Sequence, residues 1–172
     1  LVVYKLLSKG RGNTVGSRSK INLAYIAGFL DGDGSLMFQI KKRSDNKRGI
    51  RFMATICFYQ DSRHDEPLYW IRKELNIGYI SKRKDGITEL RINGFERIEE
   101  ILKNLIPYIK FKKIQAKALY DCCKILQKPI NSLKESDFRK LVDLILTIQK
   151  ENYVTKKKKD KKELLKLLDL TP

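Results

Sequence analysis

Asp31 and Asp33 lie two residues apart in the glycine-rich segment Asp31-Gly32-Asp33-Gly34. Two glycines permit tight backbone turns, so the segment predicts a turn that ends the preceding helix. Carboxylate oxygens are ligands that Mg²⁺ accepts together with phosphate oxygens and water. An ion held in this way activates water for hydrolysis of a phosphodiester. Because the same four residues also occur in ordinary capped turns, the segment alone leaves both interpretations open.

The elements that would position these carboxylates begin with an apolar helix, predicted over residues 23–30 with Asn22 as its N-cap. Ala24, Gly28 and Gly32 recur every four residues and place small side chains on one helical face. Such a face lets another helix approach closely. If two copies of this helix pack together, two acidic turns meet, and carboxylates clustered beside a polyanion are unfavourable unless they bind a divalent cation.

Composition limits the class of protein. The chain has 172 residues, 37 Lys and Arg against 20 Asp and Glu, and a net charge of +17. One domain is expected, and the charge predicts a polyanionic partner: DNA, RNA, a ribosome or an anionic membrane surface. A hydrophobic content of 42% excludes a disordered chain, and no run approaches the ~18 apolar residues of a membrane span. Three cysteines without a CxxC spacing support neither a disulfide framework nor a zinc site, so a reducing intracellular compartment is expected.

Two strand hairpins alternate with helices along the chain. Strands are predicted over residues 36–43 and 50–59, and over 78–83 and 87–92 around a Gly-containing turn. Helices are predicted over 67–75, over 95–106 with Asn93 as cap, over about 113–127, and over about 137–149 with Ser136 as cap. The order α-β-β-α-β-β-α, followed by extra helices, predicts an α+β fold with a four-stranded antiparallel sheet and helices on its other face.

Three regions are expected along the chain: a basic flexible arm over residues 1–20, the main domain over 21–150, and a Lys-rich C-terminal tail over 151–172. The KKKKDKK cluster of the tail is either solvated or in contact with flanking phosphates. A membrane-surface helix in the leucine-rich ELLKLLDL segment is a weaker alternative because the segment is short.

The sheet face away from the helices is expected to bind nucleic acid because its side chains are polar and basic. Arg can pair with guanine, Gln with adenine and Glu with the cytosine amino group. A merely solvated sheet face is the alternative, and individual residues could touch only phosphates. The predicted DNA-binding residues are Met37, Gln39, Lys41, Arg43, Arg51, Thr55, Cys57, Ser81, Arg83, Glu89 and Arg91.

The full stretch of residues 23–35, LAYIAGFLDGDGS, resembles the signature of the LAGLIDADG homing endonucleases. It occurs once, so the chain is similar to the single-motif, homodimeric branch, and the resemblance extends over about residues 21–127. It implies that the signature helices form the dimer interface through Ala24 and Gly28. It also implies that Asp33 binds a divalent metal against the scissile phosphate, with the Gly32 carbonyl as second ligand, while Asp31 caps or supports the helix end. Mg²⁺ is the expected cofactor, and Mn²⁺ or Ca²⁺ is expected to substitute in binding.

Three further catalytic candidates follow from the resemblance. Gln60 matches a position that orients active-site water. His64 stands where relatives commonly carry a basic residue, and an ordinary surface histidine is an equal alternative. Lys112 matches the active-site lysine by its spacing from a Pro-Tyr pair, with Lys110 and Lys113 as competitors. A lysine there would stabilise negative charge developing at the attacked phosphate.

The implied activity is that of a site-specific double-strand DNA endonuclease, encoded within an intron or an intein, that cuts a long pseudo-palindromic site as a homodimer by metal-dependent hydrolysis. Its partners would be double-stranded DNA and a second copy, with no membrane. Two alternatives use the same fold: an RNA-binding intron maturase, and a DNA-binding regulator that does not cut. The compartment would be whichever one holds the host DNA.

Overall fold

The computed structural model describes residues 19–43, 49–152 and 158–171. Nearly all of the predicted N-terminal arm and the polar turn of the first hairpin lie outside these ranges. The described elements are α1 (Lys20–Asp33), β1 (Gly34–Lys42), β2 (Ile50–Asp61), α2 (Glu66–Leu75), β3 (Tyr79–Lys82), β4 (Ile87–Asn93), α3 (Phe95–Leu105), α4 (Lys113–Ile125), α5 (Glu135–Glu151) and α6 (Lys161–Leu167). Two short 3₁₀ turns cover Ser62–His64 and Ile130–Ser132.

The four strands form one antiparallel sheet in the order β1-β2-β4-β3. Each predicted hairpin is present, and the two hairpins join through β2 and β4, which are therefore the central strands. The α+β prediction is confirmed, since the alternating residues of both hairpins separate a helix-facing side from a polar side. We call the polar side the platform face.

The core lies between the sheet and the helices. Alternate residues of the strands are at most 4% exposed: Leu36, Phe38, Ile56, Phe58, Leu90 and Ile92. Ile26 and Leu30 of α1 are fully buried in the same cluster. Burying one such side chain contributes about 1.5–3 kcal/mol, so this layer fixes how α1 lies on the sheet.

Helix α1 begins earlier and ends later than predicted. The hydroxyl of Ser19, not the side chain of Asn22, is the N-cap and accepts from the Ile21 N–H at 3.3 Å. Asn22 instead donates to the Glu74 carboxylate at 2.8 Å. At the other end the helix continues through Asp33, and β1 starts at the next residue.

The direct passage from helix to strand requires a glycine at position 34. A Cβ there would lie 2.5 Å from the Leu30 side chain and 2.7 Å from the Leu30 carbonyl oxygen. Any other residue at this position would therefore clash with the last buried turn of α1. The glycine preserves the short connection that places Asp33 at the edge of the sheet.

Two other predicted caps are wrong. Asn93 belongs to β4, where its side-chain oxygen accepts from the Thr55 hydroxyl at 2.8 Å, and Gly94 occupies the N-cap position of α3. Helix α5 starts at Glu135 after Lys134, whose backbone N–H donates to Asp137 at 2.9 Å, so Ser136 lies within the helix.

The leucine-rich end of the chain packs on the domain. Leu164 and Leu165 of α6 are buried, and Lys161 donates to Asp143 of α5 at 2.8 Å. The weaker alternative of a membrane-surface helix in this segment is not supported, because its apolar side is covered by α5. The described residues of the KKKKDKK cluster, 158–162, are exposed. Among the helices in the described part of the chain, none combines the length and the apolar character that crossing a bilayer requires.

Candidate active site and DNA-binding face

The end of α1 is joined to the turn that precedes α4. The Asp31 carboxylate accepts hydrogen bonds from three consecutive backbone N–H groups. These belong to Lys110 at 2.6 Å, Phe111 at 3.2 Å and Lys112 at 3.0 Å. Asp31 thus connects two segments about 80 residues apart in the chain.

The side chain of Lys112 contacts the same end of α1. Its ammonium donates to the backbone oxygen of Asp31 and lies 3.4 Å from the Gly32 oxygen. Burial lowers the pKa of Lys112, while the negative charges of Asp31 and Asp33 act in the opposite direction. Lys110 and Lys113, the competing lysines, are exposed.

Asp33 is exposed as the last residue of α1, next to Gly32. A carboxylate and a backbone carbonyl are hard oxygen donors of the kind that Mg²⁺ and Ca²⁺ prefer, so this donor set fits a divalent cation. Within residues 19–43, 49–152 and 158–171, no cluster of three or more acidic, His or Cys side chains could hold an ion alone. An ion here would therefore need phosphate oxygens, water or a second copy of the chain to complete its coordination.

Gln60 lies at the same end of the sheet. Strand β2 runs three residues past Phe58, the partner of Gly34, and Gln60 is on the helix-facing side together with Phe58. Its side-chain oxygen accepts from the Asp61 N–H at 2.8 Å. His64 is exposed at the end of the following 3₁₀ turn. The catalytic roles of both remain predictions.

The predicted DNA-binding residues within the strands share the platform face but differ in depth, and Arg43 and Arg83 directly follow β1 and β3. Lys41 and Arg51 face each other across β1 and β2, and Gln39 is opposite Met53. The exposed members of the set are Gln39, Lys41, Arg43, Arg51 and Arg83, and the half-buried members are Met37, Ser81 and Arg91. These side chains form the accessible part of the predicted surface.

Three of the predicted DNA-binding residues are buried: Thr55 is 4% exposed, Cys57 0% and Glu89 9%. Thr55 donates to Asn93, and Glu89 accepts from Arg91 at 3.0 Å. Burial raises the pKa of the Cys57 thiol. Direct base contact by these three is not supported in this structure, because the central strands have neighbours on both sides that cover them.

Several polar residues of the platform face are missing from the predicted DNA-binding set, among them Ser35, Tyr59 and Asn93. The hydroxyls of Ser35 and Tyr59 lie 3.1 Å apart, and Tyr59 is opposite Glu89. Asn93, taken for a helix cap, also lies on this face opposite Thr55. The alternation of β2 that selected Thr55 and Cys57 also points to Tyr59, so the signal was present for that residue.

Residues 26–127 match the sequence profile of the family described as LAGLIDADG endonuclease. The chain belongs to this family. The predicted membership is confirmed, and the LAGLIDADG signature is the segment that forms α1 and the start of β1.

Two curated LAGLIDADG relatives are DNA endonucleases. The DNA endonuclease I-CvuI of Chlorella vulgaris is 31% identical over 107 residues, which cover 62% of this chain and 66% of the relative. The DNA endonuclease I-CreI of Chlamydomonas reinhardtii is 30% identical over 114 residues, 66% of this chain and 67% of the relative. The aligned part of the chain thus spans about two thirds of the length of each relative.

The fold agrees with a solved structure of the family. The crystal structure of the homing endonuclease I-CvuI in complex with its target, in the presence of Ca, matches with a TM-score of 0.77 and 26% identity. The match covers 89% of this chain and 98% of that chain. Site-specific DNA endonuclease activity fits the family, the relatives and this fold.

Proposed function

We propose that this LAGLIDADG endonuclease cuts both strands of a long pseudo-palindromic DNA site, as a homodimer, by metal-dependent phosphodiester hydrolysis. The observation that carries the proposal is the contact of the Lys112 ammonium with the Gly32 carbonyl at the exposed end of α1, next to Asp33 in the chain. The negative charge of Asp33 acts on the pKa of Lys112. That end opens beside a sheet whose accessible residues are largely basic. The site acts wherever the target DNA resides.

The residues divide the chemistry between them. Asp33 and the Gly32 carbonyl would hold a divalent cation, which when bound would lower the pKa of water and polarise the phosphate. Lys112 supplies positive charge where negative charge develops at the attacked phosphate. Gln60 has an amide that can orient water at this end of the sheet. Crystals of I-CvuI with DNA were obtained with Ca or Mg present, which supports divalent-metal use.

A homodimer supplies one such site for each DNA strand. Ala24, Gly28 and Gly32 lie on the exposed face of α1, and a Cβ placed at Gly28 or Gly32 would meet nothing within 4 Å. The single chain therefore leaves this face open for a second α1 at short range. Packing two helices there brings two Asp33 residues close to the two-fold axis, which suits double-strand cleavage.

The positive charge of the chain and the exposed residues of the platform face support DNA binding. Each chain carries +17, and a dimer twice that, so affinity should fall steeply as salt rises. Gln39, Lys41 and Arg51 are accessible on the platform face and can reach base edges or phosphates. Two such faces related by two-fold symmetry read the two halves of a pseudo-palindrome.

The test begins with a randomised duplex library from which cleaved sites are selected with Mg²⁺. Asp33→Asn keeps the shape of the side chain but removes its charge, so we expect cleavage of a selected site to be lost while DNA binding in Ca²⁺ survives. Asp169→Asn changes an exposed carboxylate after α6 and should leave both unchanged. Cleavage retained in Asp33→Asn would refute the metal assignment. A wild-type chain that binds DNA but cuts no library member would make it a regulator.

A further inference from the structure

The two aspartates of the signature lie in different surroundings. Asp33 is exposed at the end of α1, whereas Asp31 is half-buried and each of its carboxylate oxygens accepts from a backbone N–H. Hydrogen bonds to an ionised acceptor are stronger than those between neutral groups. Asp31 is thus occupied by donors of its own chain, and its contribution to the site must be made through them.

The three N–H donors belong to residues 110–112, a segment that few other contacts hold in place. Ile109 is fully buried before it, and Gln115 and Ala116 are buried after it, but the side chains of Lys110 and Phe111 are exposed, Phe111 to 86%. Apolar packing therefore fixes the ends of the segment and not its middle. The three hydrogen bonds to Asp31 supply the restraint in the middle, over residues 110–112.

Lys112 is consequently held at two points. Its backbone N–H donates to the Asp31 carboxylate at 3.0 Å, and its ammonium donates to the Asp31 backbone oxygen and lies 3.4 Å from the Gly32 oxygen. A flexible lysine side chain loses much rotational freedom in such an arrangement. The restraint fixes the direction from which its charge reaches the cleavage site.

We propose that Asp31 is a positioning residue for Lys112: its carboxylate clasps the backbone of residues 110–112 and so sets the ammonium beside Gly32 and Asp33. The catalytic part of this inference rests on the proposed function. Asparagine cannot replace the carboxylate here, because it has one acceptor oxygen and its amide would present a donor to a backbone N–H.

The clasp is tested without metal or DNA by amide hydrogen exchange. In the wild-type protein the N–H groups of residues 110–112 should exchange slowly despite their exposed side chains. In Asp31→Asn they should exchange at least about tenfold faster, while core amides of α1 and α4 keep their protection. Asp33→Asn is the matched control and should leave these amides protected. Fast exchange in the wild-type protein, or unchanged exchange in Asp31→Asn, would overturn the clasp.

The positioning role is tested by a double-mutant cycle on single-turnover cleavage. Asp31→Asn should lower the rate about 10- to 100-fold, a loss typical of a misplaced catalytic group. In a Lys112→Met background the same change should cost less than about twofold, because the group that Asp31 positions is already gone. Fully additive losses would overturn the positioning role. If the wild-type protein cuts no DNA, the proposed function fails, and the exchange experiment still decides the clasp.

Should Asp31→Asn fail to fold, the wild-type exchange rates remain decisive for the clasp. Asp31→Glu then replaces it in the cycle, since the carboxylate is kept but displaced by one methylene. We expect Asp31→Glu to cleave DNA more slowly than the wild-type protein, and this loss of rate to be smaller in the Lys112→Met background. A loss in Asp31→Glu that is the same size with and without Lys112 would contradict the proposal.

Discussion

The ammonium nitrogen of Lys112 lies 3.4 Å from the carbonyl oxygen of Gly32, although 80 residues separate the two in the chain. The contact joins the turn before α4 to the end of α1 and places a positive charge beside the exposed Asp33. Burial lowers the pKa of Lys112, so its charged form is less strongly favoured than in water. A partly desolvated ammonium next to an open carboxylate is suited to meeting a phosphate.

Replacing Lys112 should therefore affect chemistry more than binding. We expect Lys112→Met to lower the single-turnover cleavage rate about 10²- to 10³-fold, a range typical for loss of one group that stabilises transition-state charge. DNA affinity in Ca²⁺ should fall only a few-fold. Lys113→Met, which removes an exposed neighbouring charge, is the control and should change affinity and rate alike. Equal losses of rate and affinity in Lys112→Met would make Lys112 a simple phosphate contact.

The open face of α1 leads to a prediction about assembly. Gly28→Leu should give monomers in sedimentation velocity, because two helices can no longer approach across a bulky side chain. The monomer itself should remain folded, since nothing lies within 4 Å of a Cβ at this position and Leu favours helix more than Gly does.

Lys117→Leu is the matched control for that experiment, since it adds the same side chain to an exposed position of α4. It should sediment as the wild-type protein does. A Gly28→Leu protein that remains dimeric would show that the dimer forms through another surface.

Local patterns were enough to predict the four strands and their two hairpins. Residues 36–43 and 50–59 alternate with period two, and such alternation survives in a sheet with one buried face. Element ends were less predictable. The N-cap of α1 is Ser19 and not Asn22, because the Asn22 side chain donates a hydrogen bond to Glu74, a residue far along the chain.

The site could be predicted only in part. Asp33 and Lys112 were selected through the family resemblance, but the bonds from residues 110–112 to Asp31 depend on tertiary packing that no local pattern encodes. An alternating pattern also does not show how deeply a side chain is buried. It therefore predicts accessible side chains at Thr55 and Cys57, although both are buried. Burial of a strand residue depends on which strands flank it, and the order β1-β2-β4-β3 follows only from the fold.

The residues of the platform face differ in exposure, and this difference predicts which of them control the salt dependence of DNA binding. Lys41→Ala and Arg51→Ala should each lower the slope of log K against log salt by about 1 if the side chain meets a phosphate. Cys57→Ala, a change at a buried position of the same face, is the control and should leave the slope unchanged. An unchanged slope in both basic variants would contradict DNA binding by this part of the platform face.

The buried cysteines predict a pH-dependent loss of stability. Burial raises the pKa of Cys122 well above its usual value and that of Cys123 to about 12. At pH 8.5 the native thiols should react with a thiol reagent far more slowly than an exposed thiol introduced as Lys117→Cys, and every one of these thiols should react after denaturation.

The pKa of each buried thiol is higher in the folded than in the unfolded protein, so the folded state keeps a proton that the unfolded chain loses. Stability is therefore complete below the ordinary thiol pKa of about 8.5 and declines as pH rises towards 12. Urea unfolding at pH 8 and pH 10 measures this decline, which should be smaller in Cys123→Ala; an equal decline would show that other groups cause it.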